Sequence, residues 1–241
     1  KLASGSKPFD LSFFENEIVS ITGLIGSGKT TLASQIFGLD PNSKVKMTLN
    51  GDAYKPKSPK EAIAAGVFMC PKDRASNAVV SEFDISNNLA LPFLKRYSRL
   101  SFLRSKSLAQ NARNSIDKLG IVCQSEMDSV TTLSGGNQQK VMVGRWLAEE
   151  SSVLLLDEPF QGVDIKARRD IGIQIRSTSS QRATLIFVAE LDEALEIADR
   201  VIVLHEGNLV GEYQNKRKNI PEIVSSFSGS AYNQDSSNYG T

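Results

Sequence analysis

A chain of 241 residues, 40% hydrophobic and 23% charged, carries enough apolar material for one large domain or two intimate lobes. Its 28 basic side chains against 27 acidic ones leave a net charge of +1, which supplies no general field to recruit nucleic acid or a membrane surface. The longest apolar runs, VLLL and LIFVA, fall far short of the roughly 18 residues of a membrane span, and the basic start KLASGSKPF lacks a signal-peptide apolar stretch. Cys70 and Cys123 have no CxxC or His-bearing companion, so they read as reduced cytosolic thiols that fill core, with no disulfide expected.

In chain order, EIVSIT at 17–22 is a short run rich in β-branched residues and predicts a strand; a Gly-rich turn follows, then KTTLASQIF with helical character. KVKMTLNG predicts an edge strand ending at the turn pair Asn50-Gly51, and GVFMC at 66–70 another strand. From Lys72 to about Glu150 strand signals fade, and SLAQNARNSIDKLG has helical spacing closed by Gly120, so a separate helical lobe is expected over about 72–150. Buried-strand runs return in SVLLLD, ATLIFVA and RVIVLHEGNLVGEY, where Glu206-Gly207 predicts a hairpin. NIPEIVSSF then puts Ile220, Ile223, Val224 and Phe227 on one helical face. The last residues, about 229–241, have too little apolar surface to offset their ordering entropy and are expected to form a flexible tail.

The first chemical signal is GLIGSGKT, Gly23 to Thr30, which matches G-x-x-x-x-G-K-[ST] between a predicted strand and a predicted helix. Glycines let the backbone wrap so that successive N–H groups, helped by the helix dipole, point at phosphate oxygens. ATP is then the expected ligand of Gly23, Leu24, Ile25, Gly26, Ser27, Gly28, Lys29, Thr30 and Thr31, with Lys29 neutralising the β- and γ-phosphates and the Thr30 hydroxyl on Mg²⁺. The alternative is a Gly-rich surface turn that matches by chance.

The second signal is VLLLDEP, Val153 to Pro159, an apolar strand with Asp157 and Glu158 at its carboxyl end, where open α/β sheets place ligands. Asp157 is the expected second Mg²⁺ ligand, through water, and Glu158 the candidate general base that deprotonates an attacking water. Alone, the pair would read as a strand that simply ends in acidic residues at the surface. Downstream of a phosphate loop it does not.

Between the two lies TLSGGNQQK, 132–140, paired glycines and polar residues leading into VMVGRWLA. With the two motifs above, L-S-G-G-x-Q resembles the signature of ATP-binding-cassette (ABC) ATPases, and the resemblance covers nearly the whole chain. More narrowly, LSGGNQQK with GLIGSGKT, CPKDR and ISNNLAL is similar to the second, C-terminal cassette of bacterial monosaccharide importers, whose ATPase protein carries two cassettes in one chain. Where that family often has P-E-D-R, Lys72 replaces the Glu between Pro71 and Arg74. The resemblance implies an α/β P-loop NTPase, an ABC ATPase cassette with a mixed β core and an inserted helical subdomain. Residues 1–241 would then be one ABC ATPase domain, a fragment of a longer two-cassette chain.

A serine and two glycine N–H groups opening a helix make an anion site, but Gly23 to Thr30 already provides one. The resemblance implies that Ser134, Gly135, Gly136 and Gln138 act in trans, on the ATP held by a partner cassette, and that Asp164 lies in the D-loop. The other reading of this stretch is a polar N-capped helix with Val143, Trp146 and Leu147 packed inward.

Two departures from the family stand out. Around Met69 to Lys72 the chain has MCPK and no glutamine for Mg²⁺, and Ala189 occupies the switch position where a histidine would contact the γ-phosphate. The single histidine, His205, falls in the predicted hairpin and is expected to be an exposed turn residue. Sugar-importer second cassettes commonly lack the switch histidine, so the departure fits the narrower resemblance. The adenine-stacking aromatic is unassigned among Phe9, Phe13 and Phe14, of which Phe13 and Phe14 read as strand or core residues.

The resemblance implies a transport-coupled ATPase at the cytoplasmic face of the inner membrane, peripheral, using ATP and Mg²⁺ to drive uptake of a sugar or sugar-like solute. Its partners would be a second cassette, permease subunits and, indirectly, a solute-binding protein, with no nucleic acid. Its own site would turn over slowly without the glutamine and histidine. A regulatory cassette that only completes its partner's site stays open as a second reading. A soluble ABC ATPase of repair or translation is a third, and it would require a basic stripe that the charge balance does not show.

Overall fold

The computed structural model describes residues 7–72, 79–99, 102–103 and 105–228; Asp73 and Arg74 of CPKDR and the tail from 229 lie outside the described residues. The chain forms two compact units, one of residues 1–69, 151–158 and 179–241, the other of residues 70–150 and 159–178.

The first unit is built on a sheet. β1 (Glu17–Thr22) leads through the glycine-rich turn to α1 (Lys29–Ile36). β2 (Met47–Leu49) and β3 (Asp52–Tyr54) form a separate antiparallel hairpin around Asn50 and Gly51, both with positive φ as a two-residue hairpin turn demands. The expected edge strand is therefore half of this hairpin and not part of the main sheet. After α2 (Pro59–Ala64), β4 (Val67–Cys70) is buried along its length.

The main sheet is completed by β7 (Val153–Asp157), β8 (Ala183–Val188), β9 (Arg200–His205) and β10 (Asn208–Gln214), in the order β10-β9-β1-β8-β7-β4. β1 runs parallel to both β8 and β9, β7 parallel to β8, and β10 antiparallel to β9. These strands read as continuous apolar runs because helices cover the sheet. One face packs Val19, Ile21, Leu155, Leu185, Phe187, Ile202 and Leu204 with Leu32 and Ala33 of α1 into a single cluster. Each such Val, Leu, Ile or Phe side chain, fully buried, contributes roughly 1.5–3 kcal/mol.

α7 (Leu191–Ile197) and α8 (Ile220–Phe227) complete this unit. On α8, Ile223 is buried but Val224 is exposed, and Ser226 takes a buried place by bonding the Tyr213 hydroxyl at 2.6 Å. His205 is half-buried as the last residue of β9, not an exposed turn residue, because the turn consists of Glu206 and Gly207. Phe13 packs against the cluster beneath the Arg200 guanidinium, 5.9 Å from its ring centre, whereas Phe14 is exposed and neither lies in a strand. Arg200 also binds Glu17 through two nitrogens, reaches Glu212, and donates to the Ser12 carbonyl at 2.7 Å.

The second unit is mostly helical: α3 (Ile85–Ala90), α4 (Ser105–Leu119), α5 (Gly135–Leu147) and α6 (Ile165–Ser177). A two-residue antiparallel pair, β5 (Ser98–Arg99) with β6 (Phe102–Leu103), interrupts it. Gly120 ends α4 with φ 58, the left-handed cap its position predicts. Ile85, Leu89, Ala112, Leu119, Val130, Leu133 and Val141 form this unit's own core.

Candidate functional site

In the first unit, strand register sets the chemistry. Thr22 of β1 pairs with Val188 of β8, and Asp157 of β7 pairs with Phe187, so the carboxyl ends of three parallel strands lie side by side. The segments that follow them, Gly23 onward, Glu158 and Ala189, therefore emerge at one edge of the sheet. This is where open parallel sheets hold ligands.

The loop after β1 cannot tolerate a side chain at its first residue, because a Cβ on Gly23 would run into the Leu204 carbonyl oxygen. Leu24, Ile25 and Gly26 project into solvent, Ile25 at 98% exposure, while Ser27 is buried and tied to the β9–β10 turn through Gly207 N–H, 3.0 Å from the Ser27 carbonyl. Gly28 caps α1 with φ 97, which opens the helix toward the loop. Lys29 is buried and donates from Nζ to the Gly23 carbonyl at 2.6 Å. Thr30 and Thr31 face solvent in the first turn of the helix. A concave loop of backbone N–H groups at a helix start, crossed by a buried ammonium, attracts a polyanion.

Asp157 is almost fully buried at the end of β7. Glu158 follows with φ 50, a left-handed conformation that costs a side-chain-bearing residue roughly 1 kcal/mol and marks a constrained position. Its N–H donates to the Phe187 carbonyl at 2.8 Å, and its Oε2 accepts from the N–H of Ala189 at 3.2 Å. So the Glu158 carboxylate meets Ala189 through the main chain of Ala189.

In the second unit, Ser134 is the N-cap of α5: its hydroxyl accepts from Asn137 N–H at 3.4 Å and from the Asn137 amide at 3.1 Å. Gln138 turns back to donate to the Leu133 carbonyl at 3.1 Å. Gly136 lies against α6, where an added Cβ would come 3.2 Å from Ala167 Cβ, tighter than ordinary packing. Asp164, expected only as a D-loop residue, caps α6 by accepting from Ala167 N–H at 2.8 Å.

The sequence reading missed the framework behind this helix. Gln139 and Lys140, polar residues of the TLSGGNQQK stretch, are buried. Gln139 donates to the Pro159 carbonyl at 2.9 Å, and Lys140 bonds the Gly120 carbonyl at 3.0 Å and Asp170 at 2.7 Å. Arg145, also buried, donates to the Asn88 carbonyl at 2.6 Å and its side-chain oxygen at 3.1 Å, and burial pulls its pKa down. The only trace in the sequence is polar residues on the turns of a helix that is otherwise apolar from Val141.

Mg²⁺ takes hard oxygen donors, needs only one or two from protein and completes its shell with water and phosphate. The buried carboxylate of Asp157 at the strand end and the exposed hydroxyl of Thr30 in the first turn of α1 fit that demand. Among the described residues there is no group of three or more His, Cys, Asp or Glu side chains that could hold a metal unaided.

The chain is similar to the ribose import ATP-binding protein RbsA 2 of Rubrobacter xylanophilus, 36% identical over 221 residues that are 91% of this chain and 43% of that protein. It is also 36% identical to the arabinose import ATP-binding protein AraG of Rhizobium etli, over 84% of this chain and 41% of that one. It thus spans less than half the length of these relatives. The backbone superposes on the dimeric, post-hydrolysis ATP-binding cassette MJ0796 bound to ADP and Pi with TM-score 0.73 and 21% identity, over 88% of this chain and 90% of that one. At that identity the likeness establishes the fold, an α/β P-loop cassette. The sequence pattern that defines the ABC transporter family matches residues 6–161, from before the phosphate loop through Glu158, and the chain belongs to that family.

Proposed function

We propose that this chain is the ATP-binding cassette of an importer, coupling Mg-ATP binding and hydrolysis to uptake of a sugar or sugar-like solute. The observation that carries the reading is the phosphate loop, with Lys29 buried across it and an acidic strand end in the same sheet edge. The import names of the relatives support the solute class.

In this reading Gly23 to Thr31 cradle the phosphates and Lys29 exchanges its Gly23 carbonyl for β- and γ-oxygens. Thr30 and Asp157 hold Mg²⁺, which when bound neutralises charge on the phosphates. Glu158 takes a proton from water as its oxygen bonds to the γ-phosphorus, and the bond to the bridging oxygen breaks to release ADP. Ser134, Gly135, Gly136 and Gln138 complete the site of a second cassette, in the same full-length chain, and that cassette's signature completes this one. The helical lobe of about 72–150 is an inserted subdomain. Permease subunits, and through them a solute-binding protein, are the other partners, and the cytoplasmic face of the membrane is the place; no helix among the described residues is long and apolar enough to cross it.

Ala189 offers no side-chain donor to a γ-phosphate. Oriented donors at developing charge are worth about 2.7–4 kcal/mol, so this site turns over on the order of a hundredfold more slowly than one with histidine there. That position also favours the second reading, a regulatory cassette that binds ATP without turnover. Single-turnover hydrolysis separates the two. The test of the main reading is Lys29→Ala: Mg-ATP affinity in a fluorescence titration falls at least tenfold, about 1.4 kcal/mol. Unchanged affinity removes the phosphate-loop assignment.

A further inference from the structure

We infer that the backbone N–H of Ala189 is the group that positions Glu158, so that the residue standing where the family has a histidine holds the base through its main chain. The inference rests on the reading of Glu158 as base and goes beyond it.

Three observations converge on Glu158. Its φ of 50 fixes the Cα–Cβ direction in a region that side-chain-bearing residues seldom enter. Its N–H is committed to the Phe187 carbonyl at 2.8 Å, which locks the peptide to the neighbouring strand just beyond the end of β7. Its Oε2 is then caught by Ala189 N–H at 3.2 Å, two residues further along the same neighbouring chain. Glu158 is therefore held at its backbone N–H and at one carboxylate oxygen by one segment, Phe187 to Ala189. Among the described residues Oε1 accepts no other hydrogen bond, which leaves it as the oxygen for an incoming water.

A carboxylate held by a fixed donor needs no reorganisation when the water arrives, whereas a free glutamate samples many rotamers, and reach errors of about 1 Å cost on the order of a hundredfold in rate. Ala189 thus does part of what a histidine would do. It holds the base and leaves the γ-phosphate without a side-chain donor. The site is accordingly slow and active, not silent.

The test uses the full chain with stoichiometric Mg-ATP, reading single-turnover rate and nucleotide affinity separately. Ala189→Pro deletes the N–H and lowers the rate constant about tenfold to a hundredfold with Mg-ATP affinity unchanged, the loss of a hydrogen bond to a charged group. Ala189→Gly keeps the N–H and loses much less rate than Ala189→Pro. Full rate in Ala189→Pro, with Glu158→Gln inactive, overturns the positioning role and leaves the base reading standing. Full rate in Glu158→Gln overturns the base reading itself. If Ala189→Pro does not fold, Glu158→Asp keeps a carboxylate one methylene short of Ala189. Unchanged rate there overturns the inference, and at least a tenfold loss at unchanged affinity supports it. Amide exchange by NMR gives a readout without turnover: Glu158→Ala speeds exchange of the Ala189 N–H at least tenfold, and equal exchange in both proteins refutes the contact.

Discussion

The two units hold their candidate functional residues by different means. In the first, the phosphate loop, Glu158 and Ala189 hang from strand ends and are fixed by main-chain contacts: the Gly23 approach to Leu204, Gly207 on Ser27, Phe187 and Ala189 on Glu158. In the second, the helix that begins at Ser134 is fixed by buried polar and charged side chains, Gln139, Lys140 and Arg145, each reaching a carbonyl or carboxylate of a neighbouring segment. Main-chain support tolerates side-chain change and is sensitive to backbone geometry. Side-chain support is the reverse, and losing one partner leaves a buried charge uncompensated.

The largest expected effect follows from that contrast. Asp170→Ala strands the Lys140 ammonium with only the Gly120 carbonyl, and the second unit loses about 3 kcal/mol in urea unfolding. The lower end of the range applies because Asp170 keeps some water contact. Adding Lys140→Met recovers much of the loss, and nucleotide affinity of the chain stays at its original value throughout. A drop in affinity as large as that of Lys29→Ala would break the division of labour. A smaller effect is expected from Ser134→Ala, which removes the acceptor of a long cap bond and of the Asn137 amide bond at an exposed helix start and costs about 0.5–1 kcal/mol, again with the chain's own Mg-ATP affinity intact.

The smallest probes the loop that leads into α5. Burial pushes the Cys123 thiol up first, and the carboxylates of Asp128 and Glu126 push it further. A raised folded value means less thiolate at neutral pH, so alkylation by iodoacetamide is slower than for a free cysteine, and its rate keeps rising with pH beyond the ordinary thiol range. Asp128→Asn removes one of the raising charges and speeds the reaction at pH 7. An unchanged rate would show that burial alone sets the thiol.

The sequence made much of the first unit legible. Continuous apolar runs marked β1, β4, β7, β8 and β9, and the pairs Asn50-Gly51 and Glu206-Gly207 marked two hairpin turns, because strands buried on both faces and left-handed turns leave local compositional traces. The motifs of the candidate site were visible for the same reason, each lying within a few consecutive residues. What stayed hidden depends on partners far along the chain. Lys140 meets Asp170 thirty positions away and Arg145 meets Asn88 fifty-seven away, so nothing local distinguishes these buried charges from solvated ones. The Ala189 contact left no trace at all, since any residue but proline would supply the same N–H. Phe14 and Val224 went astray because hydrophobicity alone does not place a residue inside.

The placement of β1 between β8 and β9 has a consequence for the order of events during synthesis. Its neighbours begin at Ala183 and Arg200, so the strand that introduces the phosphate loop is made before both and must wait until they have left the ribosome. The ion pair of Arg200 with Glu17 closes across 183 positions and fastens the start of β1 only at that late stage. Long-range parallel pairings of this kind are slow to form and leave an unpaired apolar strand in the meantime. The nucleotide loop is therefore made well before either strand that flanks β1, and its ability to grip a phosphate follows only when β8 and β9 arrive.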